Sequence, residues 1–229
     1  MQKKVIVISL GGSLIIPNQT ETKFLLDFKK TIQKNFNKCK FVIVCGGGST
    51  ARKYISGLRE AKINEKLQSF AGIAATRMNA RFMTYLFGKE ANEGIPRDMK
   101  QIKNLLQKNN VVFCGALRYE KNQTSDSTSA KLANYFKSDF INMTDVPGLY
   151  SKNPKKFKDT KFIPEISWKD FEKLANKSKF QPGQHFVLDQ TAAKIIKKYK
   201  IKTYIIGKDL NQLDNLLNKK NFIGTTIKN

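Results

Sequence analysis

The sequence predicts an α/β fold: a mostly parallel sheet with helices on both faces. Short β-branched runs recur at KVIVIS, KFVIVC, VVFC, DFINMT, KTYIIG and FIGTTI. Longer segments with apolar residues at helical spacing separate them, the alternation that builds parallel sheets from βα units. Polar or glycine-bearing loops follow almost every strand, and no long linker or repeat divides the 229 residues. In open α/β sheets ligands bind beyond the carboxyl ends of the strands, so these loops are expected to converge on one cleft.

The first strand, KVIVIS, follows a start that superficially suits a signal peptide. Two glycines and a serine interrupt its apolar stretch, however, and no small-residue cleavage pattern clearly follows, so it reads as a buried strand. Helices are then expected over roughly 21–37, 50–60, 66–87, 98–108, 126–137, 168–176, 189–199 and 209–219, each set between strand-like runs. The segment GIAATRMNARFMTYLF within the third of these reads as a packing helix, with Arg77 and Arg81 on its polar face. Asp126 and Asp189 stand at helix starts and suit N-caps.

Composition narrows the function classes. No apolar run reaches the roughly 18 residues of a membrane span. Cys39, Cys45 and Cys114 lack CxxC spacing, and they read as small buried hydrophobes of a reducing cytoplasm. With one histidine, His185, a zinc site is not expected. The net charge of +24 raises a nucleic-acid partner, but the lysines alternate with core residues and no RNA-binding motif is present. A positive field nonetheless gathers anionic substrates.

The glycine loops carry the chemistry. In VCGGGSTARKY the strand ends near Cys45 and a helix is expected to begin at Ser49 or Thr50, either of which suits an N-cap. The amides of that turn and of the glycines face one point, where an anion is favoured, and Arg52 adds a permanently charged fork. SLGGS at 9–13 repeats the device more weakly. Neither loop is a P-loop or a GxGxxG dinucleotide fingerprint. Two phosphate cradles on a less common scaffold are indicated.

The chain resembles the amino acid kinase superfamily, and within it the archaeal-type uridylate kinases. The likeness is collinear: GGSLIIP at 11–17, GGGSTARKYI at 46–55, GIAATRMNA at 72–80, TSD at 124–126, TDVPGLYSKNPKK at 144–156, LDQTAAKII at 188–196, IKTYIIGK at 201–208 and GTTI at 224–227. It implies a three-layer α/β/α sandwich that transfers the γ-phosphoryl group of MgATP to UMP, a step of pyrimidine synthesis. Relatives are usually homo-oligomers, often hexamers.

Residue by residue, the resemblance assigns Gly11, Gly12, Ser13, Gly48 and Arg52 to the ATP phosphates. It assigns Thr144, Asp145, Tyr150 and Asn153 to the nucleoside of ATP, with Tyr150 against the base. Gly47, Ser69, Thr124 and Ser125 fall to UMP, and the catalytic roles fall to Arg52 and to Asp189, which lies near the transferred phosphate and organises cationic groups around it. No side chain is assigned to a metal; magnesium is expected to come with ATP. One domain spans 1–229, with roughly 1–137 serving acceptor and assembly and roughly 138–229 serving ATP.

The chemistry suits a chain almost without histidine. A nucleoside monophosphate has its second pKa near ~6, so the attacking oxygen is ionised at neutral pH and needs no general base. The reaction needs two repelling phosphates to be neutralised and aligned.

Several positions depart from the family. Ser9 stands where relatives carry Lys or Asp, and Ser69 replaces an aspartate that holds the UMP ribose. Pro147 and Asn153 replace aspartates of the ATP loop, and the third loop, CGALRYEKNQTSD, is longer and more basic. Two readings follow: a divergent working enzyme, or a lapsed nucleotide-binding member that regulates or acts on another acceptor. Family members that phosphorylate isopentenyl phosphate present a histidine in the acceptor pocket, and none occurs near these loops.

Overall fold

The computed structural model describes residues 3–121, 123–152, 154, 157, 159–176 and 188–229. Its centre is a sheet of seven strands. In chain order the strands are β1 (Lys4–Leu10), β2 (Cys39–Cys45), β3 (Val111–Cys114), β4 (Phe140–Met143), β7 (Glu165–Ser167), β8 (Thr203–Ile206) and β9 (Thr225–Lys228). The order across the sheet is β3-β2-β1-β4-β8-β9-β7, and within this sheet the only antiparallel pair among the described residues is β8 with β9. A separate hairpin pairs β5 (Leu149–Tyr150) with β6 (Phe162–Ile163).

The period of two along the strands explains why helices cover both faces. Ile6, Ile8 and Leu10 of β1, with Phe41 and Ile43 of β2, join one core, and Val7, Val42 and Val44 join the other. The first face is covered by α2 (Thr22–Lys34), α4 (Glu65–Phe87) and α9 (Leu210–Leu217), through Phe28, Met83, Phe87 and Leu213. The second is covered by α5 (Met99–Lys108), α6 (Ser125–Phe136), α7 (Trp168–Asn176) and α8 (Gln190–Lys198). There Ile102, Leu132, Phe171 and Ile196 are buried. Strands enclosed this way read as continuous apolar runs, as these did.

The remaining helices stand over the carboxyl ends of the strands. They are α1 (Gly12–Ile15), directly after β1, and α3 (Gly48–Glu60), directly after β2, which packs on α4 through Ala51, Ile55 and Ala75. β3 is a sheet edge, and the buried Asn92 covers part of it. Its side-chain oxygen accepts from Phe113 N at 2.7 Å and its amide nitrogen donates to Phe113 O at 3.1 Å.

Some expectations need correction. α1, β5, β6 and β7 were not foreseen, because two to four residues show neither period. The last strand is displaced from the expected 222–227 to Thr225–Lys228, after Gly224. Among the described residues no helix is long and apolar enough to cross a membrane. The three cysteines are buried and free.

Candidate functional site

β1 and β2 are neighbours in register, Leu10 beside Cys45, so the loops that leave them start side by side. The Gly46 amide donates to Leu10 O at 2.9 Å. The loops then meet through main chain alone. A Cβ on Gly12 would stand 2.0 Å from Gly48 N and 2.6 Å from its Cα, so no side chain fits between them. Gly48 has φ +62°, a left-handed conformation that glycine adopts without strain. Ser49 fastens the second loop: its amide and hydroxyl both donate to Ile16 O, at 3.3 and 3.0 Å.

α3 therefore begins at Gly48, one or two residues earlier than expected. Gly47 is its N-cap residue and no side chain caps it. Neither Ser49 nor Thr50 caps the helix: Ser49 is turned toward the first loop. Since the first four amides of a helix have no acceptor within it, donors accumulate here. Among the described residues, no protein acceptor takes the amides of Gly12, Ser13, Gly47, Gly48 or Thr50. Arg52 is half-buried in the first turns of α3, and no described carboxylate pairs with it. The cluster of unused donors is positive throughout.

Gly11 connects this cluster to the fourth loop. Its amide donates to Met143 O at 2.9 Å, and a Cβ there would lie 3.7 Å from Thr144 Cα. Thr144 and Asp145 follow β4, and the Thr144 amide donates to Ile206 O at 3.0 Å. Tyr150 sits in the β5–β6 hairpin, edge-on to Phe162 with ring centroids 5.3 Å apart. Asn153 and His185 lie outside the described residues.

On the other side, α4 holds the second and third loops. Buried Asn79 donates to Gly46 O at 2.7 Å. Thr76 Oγ1 accepts from Ala116 N at 3.0 Å, and Arg77 donates to the carbonyls of Ala116 and Leu117. A Cβ on Gly47 would lie 3.6 Å from Thr76 Cγ2, so all three meet at one point. Ser69 is on the same helix, about 10 Å nearer its N-terminus. A packing helix was expected here, and it packs, but Thr76, Arg77 and Asn79 also set the loops. The signal was polar residues three apart inside an apolar helical pattern.

An acidic network closes the floor. Ser9 faces the α6 side of the sheet, and its hydroxyl donates to Asp126 Oδ1 at 2.9 Å. Asp189 is 3% exposed and caps α8, accepting from Ala192 N at 2.7 Å. It also accepts from Ser127 Oγ at 2.8 Å and from the Thr124 hydroxyl. For Asp189 the N-cap reading and the site reading both hold geometrically. For Asp126 the N-cap reading fails: Thr124 caps α6, accepting from Asp126 N at 3.1 Å. Asp126 keeps some surface, but enclosure of its carboxyl and then the nearby charge of Asp189 push its pKa up to about 7, against the bond from Ser9.

The structure thus gathers Gly11, Gly12, Ser13, Gly47, Gly48 and Arg52 on one side, with Thr124, Ser125 and Asp189 at the adjoining helix starts. Ser9, Ser127 and Asp126 join them, residues that single-position reading did not assign.

Comparison with known proteins identifies the family and the fold. The amino acid kinase family profile matches residues 4–207. The uridylate kinase of Thermoplasma volcanium is 37% identical over 224 residues, 97% of each chain. The uridylate kinase of Archaeoglobus fulgidus is 34% identical over 225 residues, 97% of this chain and 99% of that one. The crystal structure of uridylate kinase from Archaeoglobus fulgidus, 33% identical, superposes with a TM-score of 0.84 over 97% of this chain and 99% of that one. The crystal structure of UMP kinase from Ureaplasma parvum, 22% identical with a TM-score of 0.77 over the whole of both chains, shares the fold. With its sheet order, its paired glycine loops and this match over most of its length, the chain belongs to the amino acid kinase family.

Proposed function

We propose that this chain is an ATP-dependent UMP kinase, which transfers the γ-phosphoryl group of MgATP to UMP and gives UDP. One observation carries the reading: two glycine loops in direct main-chain contact, each with amides that no described acceptor takes, beside Arg52, with which no described carboxylate pairs. Likeness to uridylate kinases along almost the whole chain supports the choice of acceptor.

In this reading Gly11, Gly12, Ser13 and Gly48 line the ATP phosphates, and Arg52 neutralises charge that builds on the transferred group. Thr144, Asp145 and Tyr150 hold the nucleoside of ATP, a role assigned also to Asn153. Gly47, Ser69, Thr124 and Ser125 hold UMP. Magnesium enters with ATP as part of the substrate. The ionised oxygen of UMP attacks unaided, and the loops supply alignment of two phosphates held head to head. Asp189 is a positioning residue: it ties the start of α8 to Thr124 and Ser127 on α6. The acceptor half, roughly 1–137, and the ATP half, roughly 138–229, share one sheet that divides between β1 and β4.

Self-association belongs to the same reading. α4 buries one stripe and leaves a second exposed, with Leu67, Phe70, Met78 and Tyr85 spaced along it. Met78 is 68% and Tyr85 73% exposed, and large apolar side chains aligned on one exposed stripe mark an interaction surface. A second copy of the chain, laid along α4, covers this stripe, and a hexamer repeats such contacts. The nucleotide substrates place the reaction in the cytoplasm.

The test is coupled ADP release from purified protein with MgATP and a panel of phosphate acceptors. UMP is expected to turn over best. Turnover of another acceptor in its place would retain the kinase and reject UMP; tight ATP binding without any turnover would indicate a lapsed regulator.

A further inference from the structure

Thr225 opens β9 within the segment GTTI at 224–227, which has no assigned part in the site. Its side chain is fully buried, and it bonds to the β5–β6 hairpin. The hydroxyl accepts from Leu149 N at 2.8 Å and donates to Ile163 O at 2.5 Å. Leu149 and Ile163 are register partners in the hairpin, so one hydroxyl grips both strands at the same rung. No ladder among the described residues joins the hairpin to the seven-stranded sheet. The approach is close: a Cβ on Gly148 would stand 2.8 Å from Thr225 Oγ1 and 2.8 Å from Phe162 Cε2.

This grip decides where two aromatic rings stand. Side chains alternate along a strand, so Leu149 and Ile163 go to one face of the hairpin, and Tyr150 and Phe162 to the other. Leu149 is buried in the core beneath, and Ile163 packs against the same core. Tyr150 and Phe162 stand opposite each other, edge-on, and Phe162 is 37% exposed. The hairpin thus presents a pair of rings just after Thr144 and Asp145, and a flat nucleobase is of a size and polarity to lie against both.

We propose that Thr225 is a positioning residue for the base of ATP: its hydroxyl fixes the hairpin so that Tyr150 and Phe162 together receive the base. Phe162 is then a base contact in its own right. This assignment rests on the ATP role proposed above for Tyr150. Without the hydroxyl, the Leu149 amide and the Ile163 carbonyl lose that partner, and a hairpin with two residues in each strand has little else to hold it. The glycine loops leave β1 and β2 and do not depend on this bond, so binding of the base and binding of the phosphates can be separated.

The test is calorimetric titration of the full chain with MgATP and, separately, with magnesium tripolyphosphate, which has the phosphates and no base. Thr225→Val keeps the shape and removes the hydroxyl; it should weaken MgATP about tenfold, roughly the loss of one contact, and leave tripolyphosphate unchanged. Thr225→Ser, which keeps the hydroxyl, should bring MgATP back to within about threefold of the parent. In turnover with UMP the valine variant should raise KM for ATP and leave KM for UMP as it was. Equal weakening of both ligands, unchanged MgATP affinity, or no recovery with serine overturns the proposal. Should Thr225→Val fail to fold, Phe162→Ala on the open face replaces it: the same selective loss is expected, and unchanged MgATP affinity overturns the proposal. A parent chain that binds no MgATP contradicts the ATP role of the cleft and the proposal with it. The titrations need no acceptor, so they read Thr225 even where UMP is not turned over.

Discussion

The α-hydrogen of Gly12 points at the amide nitrogen of Gly48, so closely that a methyl carbon in its place would stand 2.0 Å from that atom. Main chain surrounds the spot, including Gly46 C at 2.8 Å, and no flexible side chain is there to yield. Gly12→Ala is therefore expected to part the two loops. It should cost about 1–3 kcal/mol of stability, as overpacking does, and lower kcat/KM about a hundredfold or more. Urea denaturation and steady-state kinetics check both.

Arg52 has a charge and no described partner, which separates its role in turnover from any role in folding. Arg52→Ala should lower kcat/KM at least about tenfold by removing charge stabilisation in the transition state. The melting temperature should stay within the scatter of surface substitutions, and differential scanning fluorimetry reads it.

Asp189 carries more structure. It caps α8 and accepts from hydroxyls of α6. Asp189→Ala leaves a helix end and two hydroxyls unsatisfied, and should cost about 2–4 kcal/mol in urea denaturation. Asp189→Asn, which keeps one acceptor oxygen, should cost less.

Asp126 predicts a pH dependence. Its pKa rises from 3.8 to about 7 on folding. Between these values the folded chain holds a proton that the unfolded chain has released, so stability falls as pH rises through that window. The full effect is up to about 4 kcal/mol. Asp126→Asn, which stays neutral, should gain stability relative to the parent as pH increases from 4 to 8, and the difference should level off above about 7.

The exposed stripe on α4 predicts assembly. Met78→Glu/Tyr85→Glu puts charges where another chain would lie and should reduce the mass found by light scattering, with helix content by circular dichroism unchanged.

The sheet was legible because strands buried on both faces show continuous β-branched runs, and all eight expected helices had enough turns to show their period within a few residues of their bounds. The hairpin at Leu149–Tyr150 was not, because two residues carry no period. At the site, three consecutive glycines read as a phosphate cradle, but the sequence did not say what else they approach. Gly12 answers that, and the contact joins residues 36 apart that no local pattern connects. Ser9 read as a departure at a position where relatives carry Lys or Asp; its bond to Asp126 spans 117 residues and depends on the strand pointing Ser9 toward α6. Ser49 was misread as a cap because its partner, Ile16 O, belongs to the other loop.

The central claim is that these two loops hold a pair of phosphorylated nucleotides end to end. It is tested most directly by a crystal structure of the chain with a bisubstrate analogue, adenosine and uridine joined through a chain of phosphates. The account predicts one analogue per chain, with its phosphates on the amides of Gly12, Ser13, Gly47 and Gly48 and against Arg52. Phosphates bound elsewhere, with those amides facing only solvent, would contradict it.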